Sequence, residues 1–222
     1  IQDYAGDGAV LASSTSGFTP TQLREGAARP DQIIVAHPYN PVYLLPVVEL
    51  VGGTDNPYIL AARDMLQDIG MKPVVIAGEI DAHIGDRLLE AVWREALWLI
   101  KDGIATTKDI DDIITHGFGL RWAQKGLFET YRVAGGEAGM QHFLEQFGPC
   151  LSWPWTKLTD VPDLDDTLIS RIVDQSDAQA AGRSVSALEA ERDANLVALL
   201  KTLRAQDTAA GAFLNRLGKT TS

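Results

Sequence analysis

The stretch VAHPYNPVYLLPVVELVGG, Val35 to Gly53, decides how the chain is read. An apolar run, Ile33 to Ala36, delivers a histidine, His37. Pro38 and Pro41 then frame a loop, and a second apolar run, Val47 to Val51, carries Glu49 and ends at Gly52-Gly53. Short β-rich runs closed off by proline and glycine are strand signals. If the segment between them doubles back, His37 and Glu49 meet, although twelve residues separate them.

Outward from this stretch, Ala9 to Ala12 and Pro73 to Ala77 are two further strand candidates. One helical pattern runs from about Pro57 to Ile69 and stops at Gly70. The texture changes near Gly78 to Asp81. From Asp81 to about Lys101, Ile84, Leu88, Val92, Leu99 and Ile100 recur at near-helical spacing. Thr106 to Asp109 reads as a capped helix start and Gly117 as its stop. More helices are expected over 120–133, 136–147, 165–181 and 185–205, the last with a capping-box pattern of Ser186 and Glu189. The segment Gly148 to Leu164, rich in proline and tryptophan, reads as a packed loop. The expected fold class is α/β followed by all-α, divided into residues 1–79 and 80–222.

The chain has 222 residues, 45% apolar and 22% charged, the composition of an ordinary globular protein. Thirty acidic against 19 basic residues leave a net charge of -11, which speaks against nucleic acid as a partner. A single cysteine, Cys150, cannot form an internal disulfide. No apolar segment is long enough to suggest a membrane span, and nothing resembles a signal peptide. The expected location is the cytoplasm.

A carboxylate bonded to one imidazole nitrogen fixes the ring's tautomer and leaves the other nitrogen to exchange a proton. His37 with Glu49 fits that general-base pattern. Asn40 could hydrogen-bond an oxygen at the same centre without titrating, and Ser16, in SSTSG, could add a hydroxyl. Each also has a plain structural reading: a satisfied histidine, an exposed charge, and two turn formers. Metal binding is not expected, because His37, His83, His116 and His142 are scattered and no cysteine cluster exists.

These residues resemble the 3-hydroxyacyl-CoA dehydrogenase family. Its pattern S-x-T-S, then H-x-x-N-P, then a Glu twelve residues past the His, is matched by Ser13 to Ser16, His37 to Pro41, and Glu49. The resemblance implies that His37 transfers the proton, that Glu49 orients it, and that Ser16 and Asn40 contact substrate or NAD. It implies a remnant of a Rossmann-type sheet carrying the catalytic His, followed by a helical C-terminal domain through which the protein forms a homodimer. The longer blocks HPYNPVYLLPVVELVGG, DRLLEAVWREALWLIKDGIATTKDID, GLRWAQKG and WPWTKLTDVP are similar to the subgroup that oxidises L-carnitine with NAD.

Two departures qualify the likeness. The family opens with a G-x-G-x-x-G turn for the NAD pyrophosphate, and none precedes Ile1. The expectation is therefore a chain without that N-terminal segment, roughly 100 residues of a Rossmann domain. The second is Asp86, where acyl-CoA members carry Asn. A carboxylate suits a trimethylammonium head, which offers no ordinary donor, and so do aromatic faces. Trp122 and Tyr131 are the aromatic candidates, although aromatics at helical spacing are more often core. Asp86 also suits the first turn of a helix. Two alternatives stand beside carnitine oxidation: 3-hydroxyacyl-CoA dehydrogenation, and a non-catalytic dimerisation fragment.

Overall fold

In the computed structural model, residues 1–135, 139–149, 155–157, 165–182 and 184–220 are described. Cys150, Trp153 and most of the expected loop 148–164 lie outside them. The chain forms two compact units: Ile1–Glu90 joined by the segment from Phe213, and Ala91–Ala212. The expected boundary at 79/80 falls inside the first unit.

The first unit is built on four strands: β1 (Leu11–Ser13), β2 (Ile33–Pro38), β3 (Val47–Val51) and β4 (Lys72–Val75). They lie side by side in sequence order. β1 and β2 are parallel, β2 and β3 antiparallel, and β3 and β4 parallel. The doubling back of the Pro-framed segment is therefore real, and it sets His37 opposite Glu49. β2 runs two residues further than its apolar pattern, so the histidine lies within the ladder and not just beyond it. β1 starts two residues later than expected.

Alternation sends neighbouring side chains to opposite faces. On one face Ile34, Val48 and Leu50 pack with Ile59 and Ala62. The last two belong to the helix α2 (Pro57–Asp68), which follows a short α1 (Pro20–Arg24). Asn56 caps α2 by accepting from the Tyr58 N–H at 2.8 Å. On the other face Val35 and Val51 pack with Ile76 and, from α1, Leu23. His37 and Glu49 continue this second face, two residues along each strand. α1 was not anticipated. Its Thr19–Gln22 capping box and Pro20 start it, and Arg24 anchors it by donating to the carbonyls of Ile33 and Gly52.

α3 (Gly85–Lys101) begins four residues later than the apolar spacing suggests. Residues 81–84 form a turn in which Ala82 and His83 have φ of 62° and 50°. Such left-handed backbone costs a non-glycine residue on the order of 1–3 kcal/mol, and the surrounding contacts must hold it.

In the second unit, α4 (Thr107–Ile113) opens on the expected capping box of Thr106 and Asp109. Gly117 does not stop the chain there. A π-turn, Ile114–Phe118, leads straight into α5 (Gly119–Ala134), with Gly117 as its non-helical point. α6 (Gly139–Phe147), α7 (Asp166–Ala180) and α8 (Val185–Ala205) follow, and α9 (Ala209–Thr220) starts in this unit and ends in the first-unit segment from Phe213. The cap of α8 is Ser184, which accepts from the Ala187 N–H at 3.2 Å, and not Ser186. α9 was missed because Gly211 reads as a breaker. A Cβ there would lie 2.0 Å from the backbone carbon of Leu203, so α9 packs against α8 only with glycine at that point.

Candidate active site

The antiparallel register makes His37 and Glu49 directly opposed residues, close enough on one face for their side chains to meet. His37 Nδ1 lies 2.9 Å from Glu49 Oε2, and both residues are buried. A carboxylate only accepts, so Nδ1 carries the hydrogen and donates, and the lone pair of neutral His37 sits on Nε2.

Glu49 accepts three more hydrogen bonds. Tyr39 Oη donates to the same Oε2 at 3.2 Å, and the backbone N–H groups of Ile84 and Gly85 donate to Oε1, each at 3.0 Å. Burial works to raise the Glu49 pKa. The donors His37, Gly85, Ile84 and Tyr39 outweigh it and hold the group below the usual carboxylate value. With its acceptor positions filled, Glu49 stays ionised beside His37 and does not take the imidazole proton. Burial, the Glu49 charge and its hydrogen bond, and then Asp86, push the Tyr39 phenol well above its ordinary range, so it remains a neutral donor.

The free nitrogen of His37 faces Asp86. Nε2 lies 3.9 Å from Asp86 Oδ2, too far for a hydrogen bond and near enough for a single oxygen to touch both. The Asp86 side chain is 33% exposed and that of His37 10%, so of the two Asp86 is the more open to solvent. Asp86 also occupies the first turn of α3, where the helix dipole favours an acid. The two readings of this residue are compatible.

His83 packs beside the imidazole of the dyad. It is buried, its ring centroid lies 5.4 Å from that of His37, and its Nε2 donates to the Thr15 carbonyl at 3.2 Å. Among the described residues its Nδ1 has no partner. His83 therefore ties the loop after β1 to the dyad. That loop carries Ser16, and the loop after β2 carries Asn40. Both residues are exposed, and because β1 and β2 are parallel, both loops leave from the strands' carboxyl ends, at the same end of the sheet. A separate hollow of about 740 Å³ runs along β1, lined by Val10, Leu11, Ser13, Leu23, Ala27 and Ile33, and the dyad side chains do not line it.

Trp122 and Tyr131 belong to the second unit. Trp122 packs on Phe118 at 4.7 Å and Tyr131 stacks on Phe143 at 4.6 Å. Gly126, with φ 67° and ψ -164°, breaks the helix between them, so they do not share one helical face. Sequence reasoning counted Tyr39 only among the possible aromatic contacts of an ammonium head, and it did not place Tyr39 or His83 beside the dyad. Tyr39 was one of many aromatics, and its place two residues past His37 was the available signal. His83 had none, since a turn in left-handed backbone brings it there.

A mixed sheet with Rossmann-like crossovers, a buried imidazole–carboxylate pair across its two central strands and a following helical region define the class: a Rossmann-like domain with a helical C-terminal domain. Comparison narrows it. Residues 1–80 match the model for the 3-hydroxyacyl-CoA dehydrogenase NAD binding domain, and residues 83–160 that for the 3-hydroxyacyl-CoA dehydrogenase C-terminal domain. The chain belongs to the 3-hydroxyacyl-CoA dehydrogenase family. It is 64% identical over 211 residues, 95% of its length, to the L-carnitine dehydrogenase/betainyl-CoA thioesterase of Agrobacterium fabrum. It is 56% identical over 214 residues, again 95%, to the L-carnitine dehydrogenase of Mesorhizobium japonicum. The chain spans 43% of the first relative and 59% of the second. Among solved structures, the NAD-dependent 5-formyl-3-hydroxy-2-methylpyridine 4-carboxylic acid 5-dehydrogenase shares the fold, with a TM-score of 0.68 at 24% identity over 90% of this chain and 66% of that one.

Proposed function

We propose that the intact protein oxidises L-carnitine to 3-dehydrocarnitine with NAD. The observation that carries this reading is the His37–Glu49 contact together with the Asp86 carboxylate 3.9 Å from the free Nε2. A substrate hydroxyl placed about 2.8 Å from Nε2 gives its proton to that nitrogen. The resulting imidazolium is stabilised by Glu49 through Nδ1. Bound NAD would supply the acceptor for the hydride that leaves the carbinol carbon as the C=O forms. Ser16 and Asn40, exposed at the ends of adjacent parallel strands, fit contacts to the nicotinamide and the reacting oxygen. No G-x-G-x-x-G occurs in the chain, so no residue here is assigned to the pyrophosphate.

Asp86 favours a cationic substrate over an acyl-CoA. A carboxylate beside the reacting centre attracts a trimethylammonium. Trp122 and Tyr131 offer aromatic faces of the kind that attracts a quaternary ammonium. Comparing L-carnitine with 3-hydroxybutyryl-CoA as substrates tests the choice: faster NAD reduction with carnitine supports it, and a response to the thioester alone overturns it.

The same reading includes a homodimer. On α3, Leu88, Leu89, Val92 and Trp93 are 56%, 61%, 39% and 56% exposed, two pairs at i,i+4 spacing on one apolar side. Light scattering at micromolar concentration is expected to give twice the protomer mass, and a monomer would count against it. Among the described residues no helix is long and apolar enough to cross a membrane.

A further inference from the structure

We propose that Tyr39 is a positioning residue for the dyad, its hydroxyl seated against Gly85 so that it fixes the Glu49 carboxylate in the orientation His37 needs. The inference rests on the reading of His37 and Glu49 as a general-base pair. Tyr39 Oη and His37 Nδ1 share one oxygen, Oε2, at 3.2 and 2.9 Å. The two rings lie 5.5 Å apart at 48°, so the phenol also walls the imidazole. Gly85 makes this possible in two ways. Its N–H holds the other carboxylate oxygen at 3.0 Å, and its missing side chain leaves room for the phenol. A Cβ at position 85 would lie 1.3 Å from Tyr39 Oη and 2.4 Å from Cζ. Any side chain there evicts the tyrosine.

Without the hydroxyl, Oε2 keeps one side-chain donor instead of two in the same buried place. Burial then weighs more heavily, and Glu49 takes a proton at higher pH than in the wild type. A protonated Glu49 no longer stabilises the imidazolium. The ionisable groups around Glu49 are His37 on β2, Tyr39 on the loop after it, His83 in the turn before α3, and Asp86 in its first turn. Tyr39→Phe changes none of their charges at neutral pH.

The test has two arms in the intact protein. In Y39F, the ¹³C carboxyl resonance of Glu49 is expected to titrate at higher pH than in the wild type. Turnover is expected to fall roughly tenfold with KM for the alcohol little changed. In the second arm, G85A is expected to impair turnover when Tyr39 is present and to add little on top of Y39A, which removes the colliding ring. An unchanged Glu49 titration in folded Y39F, or a G85A effect that is equal in both backgrounds, overturns the proposal. Full turnover in His37→Gln would overturn the dyad reading instead, and the Glu49 titration would still decide the role of Tyr39.

Discussion

His37 and Glu49 are register partners across an antiparallel pair, and the 2.9 Å contact between Nδ1 and Oε2 follows from that pairing. Two adjacent strands, both with buried apolar neighbours, hold the imidazole and the carboxylate against each other. A one-residue slip of β3 would turn Glu49 to the α2 face and expose the pair's dependence on register.

The Glu49 pKa lies below its ordinary value, which gives a signed expectation for acid stability. A group depressed by folding stabilises the native state above its unfolded pKa, and this contribution is lost as pH falls through the folded value. The stability advantage of wild type over Glu49→Gln should be full above about pH 5 and shrink as the solution is acidified below the ordinary carboxylate range. Urea midpoints measured across that range check it. A constant difference between the two proteins at every pH would show that the ionised form of Glu49 is not favoured by folding.

Asp86→Asn removes the negative charge facing Nε2 and keeps the side-chain shape. The specificity constant for L-carnitine is expected to fall by about tenfold or more, equivalent to roughly 1.4 kcal/mol. Turnover of an uncharged 3-hydroxy ester should change little. Steady-state rates with both substrates make the comparison, and equal losses would assign Asp86 to the helix start alone.

Leu50 is fully buried between Glu49 and Val51, in the cluster with Ile34 and Ile59. Leu50→Ala should lower unfolding free energy by about 2–5 kcal/mol, the usual cost of a buried leucine-sized cavity. Chemical denaturation measures it. A loss under about 1 kcal/mol would mean that α2 does not rest on this face as described.

Much of this was legible in the residues. The apolar run Val47 to Val51 and the Pro-framed segment before it made a reversal that pairs His37 with Glu49 readable as a condition, and the antiparallel register meets it. The Thr106–Asp109 box showed where α4 begins. What was hidden depends on contacts remote in sequence. Gly211 looks like a helix breaker until Leu203 is seen against it, and Gly85 looks like a spacer until Tyr39 fills the space above it. α1 has only five residues, too few for periodicity to register, though its Thr-Pro-Thr-Gln start was a usable cap signal. His83 reaches the dyad through a left-handed turn that two successive non-glycine residues, Ala82 and His83, do not announce in the sequence.

The most direct test is the initial rate of NAD reduction by the intact protein with L-carnitine, measured for the wild type and for His37→Gln with fold checked by circular dichroism. Loss of the proton acceptor should cut the rate by about a hundredfold to ten-thousandfold while the fold persists. A His37→Gln protein that turns over carnitine at the wild-type rate would contradict the assignment of this imidazole as the base.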